Sequence, residues 1–258
     1  MQLHTHPALL RQTRTTVIVI LAVLALGLVL PAATSHHPVR TTSVRLTDPD
    51  GVAAGAPRSA AGSPYRFTTL LSGQPVRWNP CTPIHWQFRA AGAPAGGRAV
   101  VTQAVARIAR ATGTQWVFDG VVTTAPSTAW LPDSLDNIRP VLIGWTDAAH
   151  SDLLRGQAAR TLGVTRTAWF AVTTDGVTVA SIRAAVVALD RRNRLPSNGP
   201  VSWKTVVLHE LGHAVGLDHA GSSAELMYPV LQRSLSDLQR GDLQGLARVG
   251  RPAGCISE

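Results

Sequence analysis

The sequence predicts an α+β domain: a mixed, twisted five-stranded sheet with helices packed on it, two of them long. Three observations lead there. The 258 residues are 45% hydrophobic and 15% charged, enough apolar material for a sizeable core and too much for a disordered chain. Segments with strand and helix periodicity follow one another in the order β-α-β-β-β-β-α-α. No stretch of about 20–50 residues repeats, which excludes solenoids and propellers.

The N-terminus reads as an export signal, assigned to residues 1–35. Arg11 and Arg14 precede a continuous apolar run at 17–30, and small residues follow at 31–35. The run is shorter than the roughly 20 residues of a membrane span. An uncleaved anchor is the alternative, because residues 31–33 extend the run. Either way the rest of the chain lies outside the membrane. Residues 36–64 are rich in Ala, Gly, Pro, Ser and Thr and lack apolar periodicity, so they read as a flexible linker or short pro-segment. The folded domain is expected over 65–258.

Within that domain a first strand is expected at 84–89, after the Asn79-Pro80 turn. Residues 99–111 carry Val100, Val101, Ala104, Val105, Ile108 and Ala109 at helical spacing, and Gly113 suits the helix end. Further strands are expected at 116–118, 138–145, 167–172 and 182–189 from their β-branched and aromatic content. Ser202 is a good N-cap for a long helix over 203–217. A last helix is expected to start at Ser236 and end before Gly250.

The formal net charge is +9, almost wholly from Arg, since Lys204 is the one lysine. The Arg residues are scattered and no zinc-finger or RNA-binding signature accompanies them, so nucleic acid is not an expected partner. Cys81 and Cys255 fit an oxidising compartment and are expected to pair, closing nearly the whole domain; two separate buried thiols are the alternative.

The segment that carries chemistry is HELGHAVGLDH at 209–219. His209 and His213 are four apart on the expected helix and share one face. Two imidazoles at that spacing can grip one zinc ion, with Glu210 beside them to reach water. Gly216 permits positive φ, which ends the helix and turns the chain back to deliver His219 as a third ligand. Three nitrogens leave a fourth position open, the mark of a catalytic rather than structural site. The five fixed positions of HExxHxxGxxH, at roughly one in twenty each, arise by chance about once in a few million windows. His4, His6, His36, His37 and His85 carry no such pattern.

Leu226, Met227, Tyr228 and Pro229 follow. Here the chain resembles the metzincin clan of zinc endopeptidases, whose signature is HExxHxxGxxH followed by a Met-turn. It is most similar to the matrixins, the family of the matrix metalloproteinases. The resemblance is close over 209–229, reappears in DLQGL at 242–246, and upstream of residue 200 extends only to the order of elements. It implies a zincin-like fold in which the active-site helix is followed by the Met-turn and a C-terminal helix. It implies one catalytic zinc on His209, His213 and His219, Glu210 as general base, and Met227 as an apolar floor. Pro229, Val230 and Leu231 would wall the pocket for the residue after the scissile bond. The fourth strand, around 168–172, would be the edge to which an extended substrate adds. Tyr228 adjoins Met227 and is not expected to ligate.

The chain also departs from that family. His150 and Asp152 have the HxD spacing of its structural zinc, but no His occurs between His150 and His209, so no structural zinc is expected. Calcium loops are not recognisable, with Asp190 the one weak candidate. The cysteine-switch motif is absent, and no hemopexin-like domain is expected. The resemblance therefore implies a zinc endopeptidase acting on protein or peptide; with the N-terminal signal, the expectation is an exported monomer, with any membrane contact through the N-terminal anchor alone. The competing readings are a non-catalytic extracellular zinc-binding module and a zinc hydrolase of cell-wall peptides.

Overall fold

The computed structural model describes residues 41–46, 62–132, 138–158, 160–174 and 177–257. The apolar run at 17–30 lies outside them. Among the described residues no helix is long and apolar enough to cross a membrane.

The elements run in chain order. Strand β1 is Thr41–Leu46, followed by the two-residue strands β2 (Arg66–Phe67), β3 (Leu70–Leu71) and β4 (Gln74–Pro75). Then come β5 (Ile84–Arg89), α1 (Gly97–Thr112), β6 (Trp116–Val122) and β7 (Val141–Thr146). The long strands β8 (Thr161–Thr174) and β9 (Val177–Asp190) precede α2 (Trp203–Ala214). Short strands β10 (Leu217–Asp218) and β11 (Val230–Leu231) lead to α3 (Arg240–Val249).

All five expected strands are present, as a continuous block in the order β8-β9-β7-β5-β6. β6, β5, β7 and β9 run parallel to one another, and β8 pairs antiparallel with β9. The sheet has seven strands rather than five, because β1 and then β11 add beyond β8. β1 lies within the segment read as linker. Its small, polar surroundings in the sequence hide six residues that pair antiparallel with β8 and parallel with β11.

Alternation of side chains explains where the core sits. Val141, Ile143 and Trp145 join Ala185, Val187 and Leu189 in the core beneath the helices. Leu142, Val186 and Ala188 join Leu153, Leu154 and Val164 on the opposite face. With both faces covered, every residue of β7 is buried, as a central parallel strand requires.

Helix α1 buries Val100, Val101, Ala104, Val105 and Ile108 and stops at Gly113, whose φ is 68°. Helix α2 starts at Ser202, whose hydroxyl accepts from the Thr205 amide at 3.3 Å. It is buried from Thr205 to Ala214, having the sheet on one side and α1 on another. Trp203 meets Trp145 edge-to-face at 5.3 Å, which anchors its first turn on the sheet.

Several boundaries differ from expectation, among them β6, which runs to Val122 rather than 118, and β9, which begins at Val177 rather than 182; three others have identifiable reasons. β8 begins at Thr161 rather than 167, because Gly163 weakens the strand signal. A Cβ there would stand 2.8 Å from Glu210 Oε1, so the glycine is required by packing. α2 ends at Ala214 rather than 217, because Gly216 takes φ 113° and its missing Cβ would meet the Val76 carbonyl at 2.8 Å. α3 begins at Arg240 rather than Ser236, because the Asp242 carboxylate accepts from the Gln239 amide at 2.7 Å and fixes the N-terminus there.

Cys81 and Cys255 form a disulfide with Cα atoms 5.4 Å apart and a sequence separation of 174. The Asn79 side chain reinforces this closure, donating to the Ile256 carbonyl at 2.9 Å and accepting from the Ile256 amide at 3.2 Å. A loop that long contributes about 5 kcal/mol on the chain-entropy model. The Cys81→Ser/Cys255→Ser double variant should therefore lose about 2–5 kcal/mol of unfolding free energy in urea titrations. A loss below about 0.5 kcal/mol would show that the closure is redundant.

Candidate metal centre

Helix periodicity places His209 and His213 one turn apart on α2, with ring centroids 4.7 Å apart. The turn at Gly216 sends the chain into β10, which pairs with β2, and His219 follows at once. Its ring lies 4.8 Å from that of His213 and 5.2 Å from that of His209. The ligand nitrogens of the three residues all lie within 4.8 Å of one another. Among the described residues no other group of three His, Cys, Asp or Glu is so placed.

The hydrogen bonds determine what these rings can hold. His209 Nδ1 lies 2.7 Å from the Leu226 carbonyl, and His213 Nδ1 lies 2.8 Å from the Leu217 carbonyl. A carbonyl oxygen only accepts, so Nδ1 carries the proton on both rings. Burial pushes His209 down to about 3 and His213 well below the usual imidazole value, with the neighbouring imidazoles adding to both shifts. Both rings are therefore neutral at pH 7, and both Nε2 atoms are unprotonated.

Those two Nε2 atoms face each other at 3.0 Å. Neither has a proton to give, so the contact is lone pair against lone pair. A cation between them converts this repulsion into coordination. Two nitrogens about 2.0–2.1 Å from one tetrahedral zinc stand roughly 3.3 Å apart, close to the spacing found. The donor set thus fits zinc: three imidazoles, two of them with tautomer and direction fixed by carbonyls.

Glu210 is fully buried beside this cluster. Its Oε2 accepts from the Thr165 hydroxyl at 2.6 Å, while its Oε1 has no hydrogen-bond partner. Burial raises the carboxyl to about 8, with the Thr165 hydroxyl pulling the other way. A nearby metal cation acts in the same lowering direction. Thr165 and Gly163 both belong to β8, so that strand sets the position of the carboxylate from one side.

Met227 is buried, and its sulfur lies against Gly212, in the space where a Cβ would stand. Its turn is held by two carboxylates that exchange hydrogen bonds between the turn and α3. Asp242 accepts from the Leu226 and Met227 amides at 2.8 and 3.0 Å. Glu225 accepts from the Gly241 and Asp242 amides at 2.9 and 3.0 Å, at the positive end of α3. Burial raises Asp242 to about 6 against the three backbone amides that lower it. The Leu226 carbonyl that orients His209 is part of this turn, so α3 reaches the site through one peptide unit.

Of the pocket residues expected from the sequence, Val230 and Leu231 form β11, and Leu231 is buried. Their register partners are Arg45 and Leu46 of β1. The part of β8 next to Glu210 is 163–165, earlier than the 168–172 stretch expected to receive substrate. His150 pairs with Asp147 at 2.6 Å, while Asp152 accepts from the Thr128 amide at 3.0 Å. Asp190 binds the Arg192 guanidinium. A separate cavity of about 400 Å³ near the disulfide, bounded by Leu71, Val76, Arg77 and Val179, contains none of the clustered histidines.

Sequence reasoning missed Thr165, Gly163 and the exchange between Glu225 and Asp242. Thr165 and Gly163 act from a distant strand and have no motif. Glu225 and Asp242 did leave a signal, as carboxylates beside a turn and in the first turn of a helix, where backbone amides need acceptors.

A family model described as Matrixin matches residues 113–249, more than half of the chain. A search of curated proteins finds no match.

Asp242→Ala leaves the Leu226 and Met227 amides buried without an acceptor. It should cost about 1–3 kcal/mol in urea unfolding. It should also weaken zinc binding by roughly tenfold in competition with a chelating dye, through the loosened Leu226 carbonyl. Unchanged zinc affinity would show that the turn and the ligands are uncoupled.

Proposed function

The chain belongs to the matrixin family of zinc metallopeptidases, and we propose that it is an exported endopeptidase in which Glu210 moves the proton. One observation carries the reading furthest. Three imidazoles offer ring nitrogens that converge within 4.8 Å, and the residue after the first of them is a buried glutamate whose Oε1 has no hydrogen-bond partner. The apolar run at 17–30 and the closing disulfide support export.

His209, His213 and His219 would hold the zinc. Zinc bound there supplies positive charge that polarises a carbonyl and acidifies water. The chain's own residues do the rest. Thr165 occupies Oε2 of Glu210 and leaves Oε1 to take a proton from the attacking water. The same carboxyl then gives that proton to the departing amine. Gly163 keeps the space beside the carboxylate clear, and the Leu226 and Leu217 carbonyls hold the imidazoles in their ligating tautomer. Extended peptide is the expected substrate, adding as a strand near β8.

Glu210→Ala should keep zinc and cut peptide turnover by about 10²–10⁴-fold. The check is mass spectrometry of a mixed peptide library treated with the full chain and with the variant. Cuts made equally by both would refute the assignment. Gly163→Ala forces the Glu210 carboxylate aside. It should lower kcat by about tenfold or more with zinc still bound; a variant of unchanged kcat would remove the strand from the account.

A further inference from the structure

We propose that Thr41–Leu46 is an inhibitory strand built into the chain, which fills the place where an extended peptide would add and so competes with substrate. The proposal rests on the peptidase reading above.

The pairing carries it. β1 runs antiparallel along Thr161–Arg166 of β8, on the side away from β9. Its register sets Thr42 opposite Thr165 and Val44 opposite Gly163. These are the two β8 residues that stand against the Glu210 carboxylate. On its other side β1 runs parallel to Val230–Leu231, just beyond the Met-turn. The segment therefore lies between the strand that positions Glu210 and the turn that orients His209, and it also approaches α2, which bears both residues.

Strand addition draws affinity from the backbone N–H and C=O groups of an edge. Those groups can be satisfied once. While β1 takes them over Thr161–Arg166, a second extended peptide has no ladder to join beside Glu210. Binding of substrate and docking of β1 thus exclude each other.

The connection is long enough for β1 to leave and return. Residues 47–61 join it to Gly62, and Ser63 is held where its carbonyl accepts from the Gly221 amide at 2.9 Å, two residues past His219. A chain of that length reaches about 50 Å when extended. Tethering gives the segment an effective concentration of order millimolar, so a weak strand suffices to occupy the edge. If nine molecules in ten have β1 docked, the apparent affinity for substrate falls about tenfold.

The test uses the full chain and the variant Ser43→Pro/Val44→Pro. Successive residues of a strand direct their N–H groups to opposite neighbours, so one of the two prolines removes a donor toward β8. The milder Ser43→Gly/Val44→Gly variant weakens the strand without blocking a donor. Occupancy is read in a Glu210→Ala background, where nothing is cut. Amide exchange at 161–166 should be slow in the parent and fast in the proline variant. A fluorescein-labelled peptide of sequence Thr-Thr-Ser-Val-Arg-Leu should bind the proline variant at least about tenfold more tightly than the parent. With Glu210 intact, the proline variant should show a KM lower by about tenfold at unchanged kcat, and the glycine variant a smaller change in the same direction.

Exchange at 161–166 that is the same in parent and proline variant would overturn the proposal. So would equal peptide affinity, or loss of cooperative unfolding in both variants, which would make β1 an ordinary structural strand. If neither chain cuts any peptide while exchange and labelled-peptide binding change as expected, the strand competition stands and the peptidase reading falls.

Discussion

Two hydrogen bonds to carbonyl oxygens govern the site. Leu226 and Leu217 each accept from the Nδ1 of a buried histidine, and so leave the two Nε2 atoms facing one another at 3.0 Å without a proton between them. Burial keeps both rings neutral, which removes the option of relieving the contact by protonation. The fold therefore holds two lone pairs in opposition, an arrangement that a metal ion would resolve. The surrounding features serve to keep those carbonyls where they are.

Each carbonyl is fixed by a different part of the chain. Leu217 lies in β10, immediately after the glycine turn that closes against Val76, and it pairs with Phe67. Leu226 lies in the Met-turn, pinned by Asp242 from α3, while Glu225 of the turn pins α3 in return. Beyond α3 the chain is tied back to Cys81 by the disulfide and to Asn79 by its side chain. The C-terminal segment thus belongs to the metal centre mechanically, although it contributes no ligand.

The grouping of His209, His213 and His219, with Glu210 beside His209 in the chain and the Met227 turn after them, was readable in the sequence because all lie within 21 residues, where helix periodicity and one glycine determine their geometry. The five strands were readable for a related reason, since each is a short, locally apolar run. Less visible were contacts made across long sequence separations. Thr165 touches Glu210 from a strand 45 residues away. Gly163 looks like a strand breaker until the carboxylate it makes room for is seen. β1 was hidden because a strand of Thr, Ser, Val and Arg in a polar stretch has no periodicity of its own. It acquires its structure from the edges of β8 and β11.

Zinc X-ray absorption on the full chain, loaded with one equivalent of metal, tests the central claim most directly. The account predicts stoichiometric binding with a first shell that includes three imidazole nitrogens at about 2.0–2.1 Å. A shell containing sulfur, fewer than three imidazoles, or no tight binding of one equivalent would contradict it.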